Sequence, residues 1–541
     1  MLTNGEQQTK NSRLWPILLA PVVLAWLVGH FIWWQIYRFP YGAQIAYEAA
    51  RFGQSIAHGE WSEMLGHIRY CKYYPPLYEI ALGLVHAALG FALGNAIVLN
   101  AILCLLGALA IYLLVNKLAD SFAASIAVML FLGHGMIFAL ARIPVREMAI
   151  TITTAWLLVL LTNRKLLWHP VYALLLALVY ALGMLVKWTF PLYTFMPASV
   201  VLCALLVDGW RNASRGKWRA PVLLLLIVLV IAGLMAPWYL GVLDIPYLVA
   251  SAANDPTPGS ALYRLLFYFK VLGTGTVTGV SSTFALLALT LPALAFFRRT
   301  TLVPALSLFS GLFLLFIIVH KEERYVLGSI PAMMALAGMS FALIPRRLFL
   351  RLPAFLLIAG VATFNYVHLS FIVPKLPQAS GSIDPIPSAA CLRKSRDTMG
   401  LILRLAIEEG QHRGRTAVLA WHPLNRNVMT SDHDLFQLAI WDQHLQNKIF
   451  FAGYDLTQYT TFGKKLADID VLVVTDNVWN GSEEEMNTLM KAWLNFRDAN
   501  WEKKTKIPAE PRHRAEIQQL FAEAFTVNTS CFPAVYVYVR K

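Results

Sequence analysis

The sequence predicts an all-α polytopic membrane domain followed by a smaller, soluble α/β domain. Three observations carry that expectation. Of 541 residues, 57% are hydrophobic and only 14% charged, against about 25% charged in an ordinary soluble chain, and the mean hydropathy is +0.56. A soluble fold this apolar could not cover its own surface with polar groups, so a bilayer must take up the excess. Apolar runs of about 17–25 residues recur from Arg13 to Phe371, each bounded by basic or Pro/Gly-rich punctuation. Beyond Phe371 the apolar runs shorten to strand length and alternate with polar segments.

The expected spans, about eleven by hydropathy, are 14–36, 94–116, 121–141, 148–163, 170–188, 190–207, 220–242, 276–297, 301–319, 325–344 and 352–371. The first is too long for a cleavable signal and lacks a small-residue cleavage site, so it reads as a signal anchor. With the N-terminus in the cytoplasm, the loops near Lys117, Arg164/Lys165, Arg211–Arg219, Arg298/Arg299 and Arg346–Arg351 all fall inside, as the positive-inside bias requires. The apolar stretch Tyr74–Gly90 would reverse that parity if it crossed. It reads as a helix at or dipping into the outer leaflet; a full span, compensated by a wrongly split one elsewhere, is the alternative.

The formal charge of +14 does not point to nucleic acid. From Ile372 onward there are 20 Lys/Arg against 19 Asp/Glu, leaving 25 against 12 in the first 371 residues, where the excess sits in short loops. Five cysteines without paired spacing exclude a zinc ribbon or redox motif.

The outer side then receives the loop 37–93, the turn Arg142–Glu147, the loop 243–275, the turn His320–Arg324 and the whole C-terminal part. Residues 372–388 form a Pro/Gly/Ser-rich linker. In the α/β domain, 389–541, strands are expected at 416–421, 449–454, 470–476 and 534–539, and helices at Asp434–Gln446, Glu483–Trp501 and His513–Phe525. Cys391 and Cys531 would both lie outside and could pair.

The outer turns carry ionisable groups at the membrane edge, where charge is costly and defaults to a functional reading. The loop 37–93 holds Glu48, His58, Glu60, Glu63, His67, Arg69, Lys72 and Glu79 among many aromatics. Arg142-Ile-Pro-Val-Arg146-Glu147 follows the third span, Lys187 ends the fifth, and His320-Lys321-Glu-Glu-Arg324-Tyr325 separates two later ones. A carboxylate facing Lys, Arg and His can deprotonate a hydroxyl nucleophile while the cations hold a phosphate leaving group. The competing reading places these residues where helices emerge into headgroups, with Arg324 a snorkelling anchor and Tyr325 an interfacial aromatic.

The succession Tyr74-Pro-Pro-Leu-Tyr78, Arg142…Glu147 and Lys187…Pro191 resembles the polytopic GT-C glycosyltransferases, most of all the bacterial relatives of protein O-mannosyltransferases and the lipid A aminoarabinose transferase. His320-Lys-Glu-Glu-Arg-Tyr325 is similar to the signature of mannosyltransferases that use dolichyl-phosphate mannose. The resemblance covers residues 1–371 and implies inverting transfer of a sugar from a polyprenyl phosphate to an acceptor at the extracytoplasmic face. It makes Glu147 the match for the acidic residue of the second outer loop. Lys187, Lys321 and Arg324 become candidates to hold the lipid phosphate, with Arg142, Arg146, His320 and Tyr325 as further substrate-binding candidates.

One departure bears on the chemistry. Family members carry an acid or acidic pair just after the first span, where this chain has Gly42 and Ala43, and no carboxylate occurs between Pro40 and Glu48. The expected general base is therefore Glu48 or Glu147. A divalent metal stays open as a cofactor, although that loop has no Asp-x-Asp pair to support it, and the sequence points to no other. Partners implied are a polyprenyl-phosphate sugar donor, a glycan, lipid or protein acceptor, the bilayer, and further membrane proteins. Two alternatives stand beside the enzyme: a silent GT-C homologue that binds glycolipid and serves a partner, and a lipid or solute transporter.

Overall fold

The computed structural model describes residues 4–36, 43–70, 74–92, 94–163, 169–214, 218–244, 282–297, 301–317, 323–372, 389–422, 445, 447–453, 460–461, 464–465, 470–475, 521–527 and 535–540. The chain divides into two compact units, Met1–Ser388 and Ala389–Lys541.

The first unit is helical throughout its described residues. It begins with α1 (Asn4–Ile36), α2 (Ala43–His58), α3 (Trp61–Tyr70), α4 (Leu77–Leu89), α5 (Asn95–Leu118), α6 (Ser121–Leu132), α7 (Gly135–Leu140) and α8 (Arg146–Leu161). It continues with α9 (Pro170–Val186), α10 (Pro191–Ala213), α11 (Arg219–Gly241), α12 (Ser282–Phe296), α13 (Leu302–Ile317), a 3-10 turn (Glu323–Ser329), α14 (Ile330–Ser340) and α15 (Leu348–Val367). Among the described residues, six segments are long and apolar enough to cross a membrane: Leu14–Gln35, Asn95–Leu118, Pro191–Arg211, Pro221–Gly241, Tyr325–Leu343 and Leu348–Val367. The chain is an integral membrane protein.

Of the eleven expected spans, 148–163, 170–188 and 301–319 are the shorter helices α8, α9 and α13 among the described residues, and two others differ in detail. The run 121–141 is broken into α6 and α7 at Gly133-His134, where Gly133 lies against Ala362 of α15 so closely that a Cβ would clash. Asn365 of α15 donates to the Gly133 carbonyl at 2.8 Å, satisfying an acceptor that the interrupted helix leaves open. The run 325–344 opens as a 3-10 turn before α14 begins. Residues 276–281 and 318–319, the outer ends of two more expected spans, lie outside the described residues.

Packing is tightest where small residues let backbones approach. Every residue of α14 is buried, and its Gly338 meets Ala123 and Ala127 of α6 with no room for a Cβ. Pro292 interrupts the hydrogen-bond ladder of α12. The Ser340 hydroxyl of α14 repairs it, accepting from Ala293 N at 2.9 Å and donating to the Leu289 carbonyl.

The segment Tyr74–Gly90 forms α4, a helix of 13 residues. At about 1.5 Å per residue it is too short for a hydrocarbon core of about 30 Å. It buries the face Tyr78, Glu79, Leu82, Gly83 and His86. A Cβ on Gly83 would come within 2.8 Å of Phe52 Cβ and 3.1 Å of the Ala49 carbonyl, so α2 and α4 cross at backbone distance. Glu48 and Glu79 are carried by this pair of helices.

The second unit has α16 (Ala389–His412) and strands β1 (Ala417–His422), β2 (Ile449–Gly453), β3 (Thr460–Thr461), β4 (Lys464–Lys465), β5 (Val471–Thr475), β6 (Phe521–Val527) and β7 (Val535–Arg540). Five strands form one sheet in the order β2-β1-β5-β7-β6; β2, β1 and β5 are parallel, while β7 runs antiparallel to β5 and β6. Asp470, fully buried, ties the sheet to the end of α16: it accepts from Val418 N at 2.8 Å and Arg415 at 2.7 Å. The expected helix His513–Phe525 is corrected at its end. Phe521–Phe525 belongs to β6, paired with β7 through a register shift between Glu523 and Phe525. Its Ala and Glu residues favour helix locally, and cross-strand pairing with the β-branched and aromatic residues of Val535–Arg540 overrides that preference. The helix Glu483–Trp501, nearly all of Asp434–Gln446, the linker from 373 on and Cys531 lie outside the described residues.

Candidate functional site

The site is assembled by helix ends. A proline pair, Pro75-Pro76, precedes α4, and a Pro-Val step precedes α8, both consistent with chain leaving extended structure for helix. Buried Asn100 of α5 connects these two helix starts: it accepts from Tyr78 Oη at 3.0 Å and donates to the Ile143 carbonyl at 2.6 Å. One side chain thereby fixes both the residue before Glu79 and the turn before Arg146.

Arg146 and Glu147, the first two residues of α8, diverge. The Arg146 guanidinium enters the α2–α4 crossing, in direct ionic contact with Glu79 and 3.6 Å from Glu48 Oε2. The Glu79 side chain is fully buried, whereas that of Glu48 keeps 32% exposure. Burial pushes the Glu79 carboxyl up from its ordinary range, opposed by the charge of Arg146. Glu147 turns the other way, to Lys187 Nζ at 2.6 Å, and both side chains are buried. Its place in the first helical turn also suits a negative charge.

Lys187 is presented by the break between α9 and α10. Its backbone is extended, its N–H closes α9 on Gly183 at 3.2 Å, and its carbonyl accepts from Phe190 N at 3.1 Å. Gly183 faces the Phe190 ring, where a Cβ would lie 2.6 Å from ring atoms, so the break is closely packed.

Two aromatic rings join the cations. The Tyr74 ring centre lies 4.6 Å from the Arg146 guanidinium carbon and 5.0 Å from Lys187 Nζ. The Tyr325 ring centre lies 4.5 Å from the same ammonium. These distances suit cation–π attraction. Tyr325 is held through its carbonyl, which accepts from Tyr193 Oη at 2.7 Å.

Of the residues singled out in the sequence, Glu48, Arg146, Glu147, Lys187 and Tyr325 thus share one locality. Arg142 turns to other partners. It is buried against α1 and α15, its guanidinium carbon 3.9 Å from the Trp33 ring centre and 5.3 Å from that of Tyr366, and it donates to Ser370. His320 and Lys321 lie outside the described residues, and Arg324 is placed by its backbone alone, in the turn that carries Tyr325. In the sequence Glu79 is one charge among several in its loop, and nothing local marks Asn100. The available signal was a lone carboxylate inside the apolar run Leu77–Leu89, which must find a partner or a function. Among the described residues no group of three or more His, Cys, Asp or Glu is arranged to hold a metal ion.

No protein-family model matches the chain, and no curated protein matches it. Solved structures do. Apo ArnT from Cupriavidus metallidurans superposes with a TM-score of 0.55 at 13% identity, covering 97% of each chain. The same protein bound to undecaprenyl phosphate gives a TM-score of 0.54 at 14% identity, covering 97% of this chain and 98% of that one. At such identity the likeness concerns the fold, and it runs through nearly the whole length of both chains.

Proposed function

From the GT-C fold that this chain has in common with ArnT, we propose that it transfers a sugar from a polyprenyl-phosphate donor to an acceptor hydroxyl at the extracytoplasmic face, with inversion. The observation that carries this reading is the pair of cations, Arg146 and Lys187, set against one Tyr74 ring with the partly exposed Glu48 carboxylate 3.6 Å from Arg146.

Lys187 and Arg146 receive the lipid phosphate, Tyr74 and Tyr325 shape its pocket, and the polyprenyl chain lies among the spans. Lys321 and Arg324 are further candidates for the phosphate and His320 for the substrate, on the pattern of residues 320–325 in the sequence. Glu48 takes the acceptor hydroxyl proton as the acceptor oxygen bonds to the sugar C1. The C1–O bond breaks with its electron pair on the phosphate oxygen, and polyprenyl phosphate leaves with its charge on the cations. Glu147 is the weaker choice of base, because Lys187 already engages it inside the protein. In this reading the N-terminus lies in the cytoplasm and the unit from Ala389 outside, as the distribution of Lys and Arg favours, and the acceptor is a glycan, lipid or protein.

Glu48→Gln tests the assignment, with undecaprenyl-phosphate affinity and transfer both measured. Removing a general base costs about a hundred- to ten-thousandfold in rate, so turnover falls by that factor while lipid affinity stays within a few-fold. Full activity in this variant overturns the role of Glu48. A wild-type chain that binds the lipid phosphate yet transfers nothing, with acceptor and partners present, is the silent homologue instead, as Gly42 and Ala43 at the usual acid positions suggest for that case.

A further inference from the structure

Arg146 faces two carboxylates of unlike standing. The same nitrogen, Nη2, is in direct contact with Glu79 and 3.6 Å from Glu48. Glu79 is sealed in the α2–α4 crossing with none of its side chain exposed, and neither of its oxygens has a hydrogen bond of good geometry among the described residues. Its charge is compensated by ion contact with Arg146. The outer contact, to Glu48, is longer and wetter, and therefore the weaker of the two. An anion arriving at the guanidinium displaces the weaker partner first.

We propose that Glu79 is a positioning residue that holds Arg146 in place while the donor's phosphate displaces Glu48 from it, so that the base is released only when donor is bound. The proposal rests on the phosphate-site reading given above. The Arg146 guanidinium lies 3.6 Å from the Glu48 carboxylate and competes with a proton for it. As phosphate engages the guanidinium, Glu48 loses that stabilisation and becomes a better proton acceptor. Glu79 stays behind as the anchor: without it, Arg146 would close onto Glu48 and both would leave the pocket. Among the described residues, the charged and titratable groups about Glu48 include Arg146 from α8, which also contacts Glu79 of α4, Arg51 one turn along its own helix and Tyr74 beside Arg146. The arrangement ties base strength to donor occupancy, which limits proton transfer in the absence of a leaving group.

The test uses the full chain in lipid nanodiscs and a water-soluble carbodiimide, which reacts with protonated carboxyls, with Glu48 modification read by peptide mass spectrometry. Removing an opposite charge from beside a carboxylate favours its protonated form. Saturating undecaprenyl phosphate therefore raises Glu48 modification in the wild-type chain several-fold, while undecaprenol, with no phosphate, leaves it unchanged. In Glu79→Gln the basal modification falls and the lipid no longer raises it; Glu79→Asp keeps the response. Undecaprenyl phosphate that binds, as seen by photocrosslinking, yet leaves wild-type Glu48 modification unchanged or lowered overturns the release of the base. A Glu79→Gln chain that responds like wild type overturns the role of Glu79. Absence of any lipid binding overturns the phosphate site itself, and the proposal with it.

Discussion

Lys187→Met isolates the buried pair on which the site's second arm depends. Lys187 Nζ and Glu147 Oε1 are 2.6 Å apart, with side-chain exposures of 3% and 5%. At an effective dielectric near 20, opposite unit charges at that separation attract by about 6 kcal/mol, most of it offset by the cost of removing both from water. Deleting one partner loses the attraction and leaves the other charge stranded, which costs about 3–5 kcal/mol. Lys187→Met and Glu147→Gln are each expected to lose that much stability. The double variant strands no charge, so its loss falls well short of the two singles added together. Reversible unfolding in mixed detergent micelles, followed by tryptophan fluorescence, gives the three values. Singles that each cost under about 1 kcal/mol, or a double equal to their sum, would refute the buried-pair argument. Undecaprenyl-phosphate binding separates structure from function: it is weakened about ten- to a hundredfold when one charge-assisted contact is lost, and the double variant does not regain it.

Two further outcomes test the fold. Single cysteines placed at Ser214 and Ser388, in a chain lacking its native cysteines, should report opposite sides in intact cells, Ser388 labelled by an impermeant maleimide and Ser214 protected; labelling of both removes the assigned topology. Gly338→Leu forces a side chain into the α14–α6 contact at Ala123 and Ala127, and overpacking of this kind costs about 1–3 kcal/mol; an unchanged unfolding midpoint would mean that the two helices do not pack at backbone distance.

How much of the site could be read in advance depended on whether a residue's role is local. Arg146, Glu147 and Lys187 stood out because charge beside an apolar run is expensive wherever the chain goes afterwards. Arg142 looked equivalent to Arg146, four residues away in the same outer turn. Nothing local says that one guanidinium turns to Glu79 and Glu48 while the other stacks on Trp33. The role of Glu79 was hidden for the same reason. A carboxylate in an apolar helix is an anomaly whose meaning depends on what packs against it, and that partner comes from α8, far along the chain. In the second unit, Phe521–Val527 carries helix-favouring residues yet is held as a strand by its neighbour β7.

Composition, apolar run length and the distribution of Lys and Arg determined by themselves that this chain lives in a membrane, because the cost of burying polar backbone and charge in hydrocarbon depends on the segment and little else. Which carboxylate faces which cation was decided only by the tertiary structure. Ion pairs act over a few ångströms, and the residues that meet here are brought within that range by two crossings: α2 on α4 through Gly83, and the ends of α4 and α8 through Asn100.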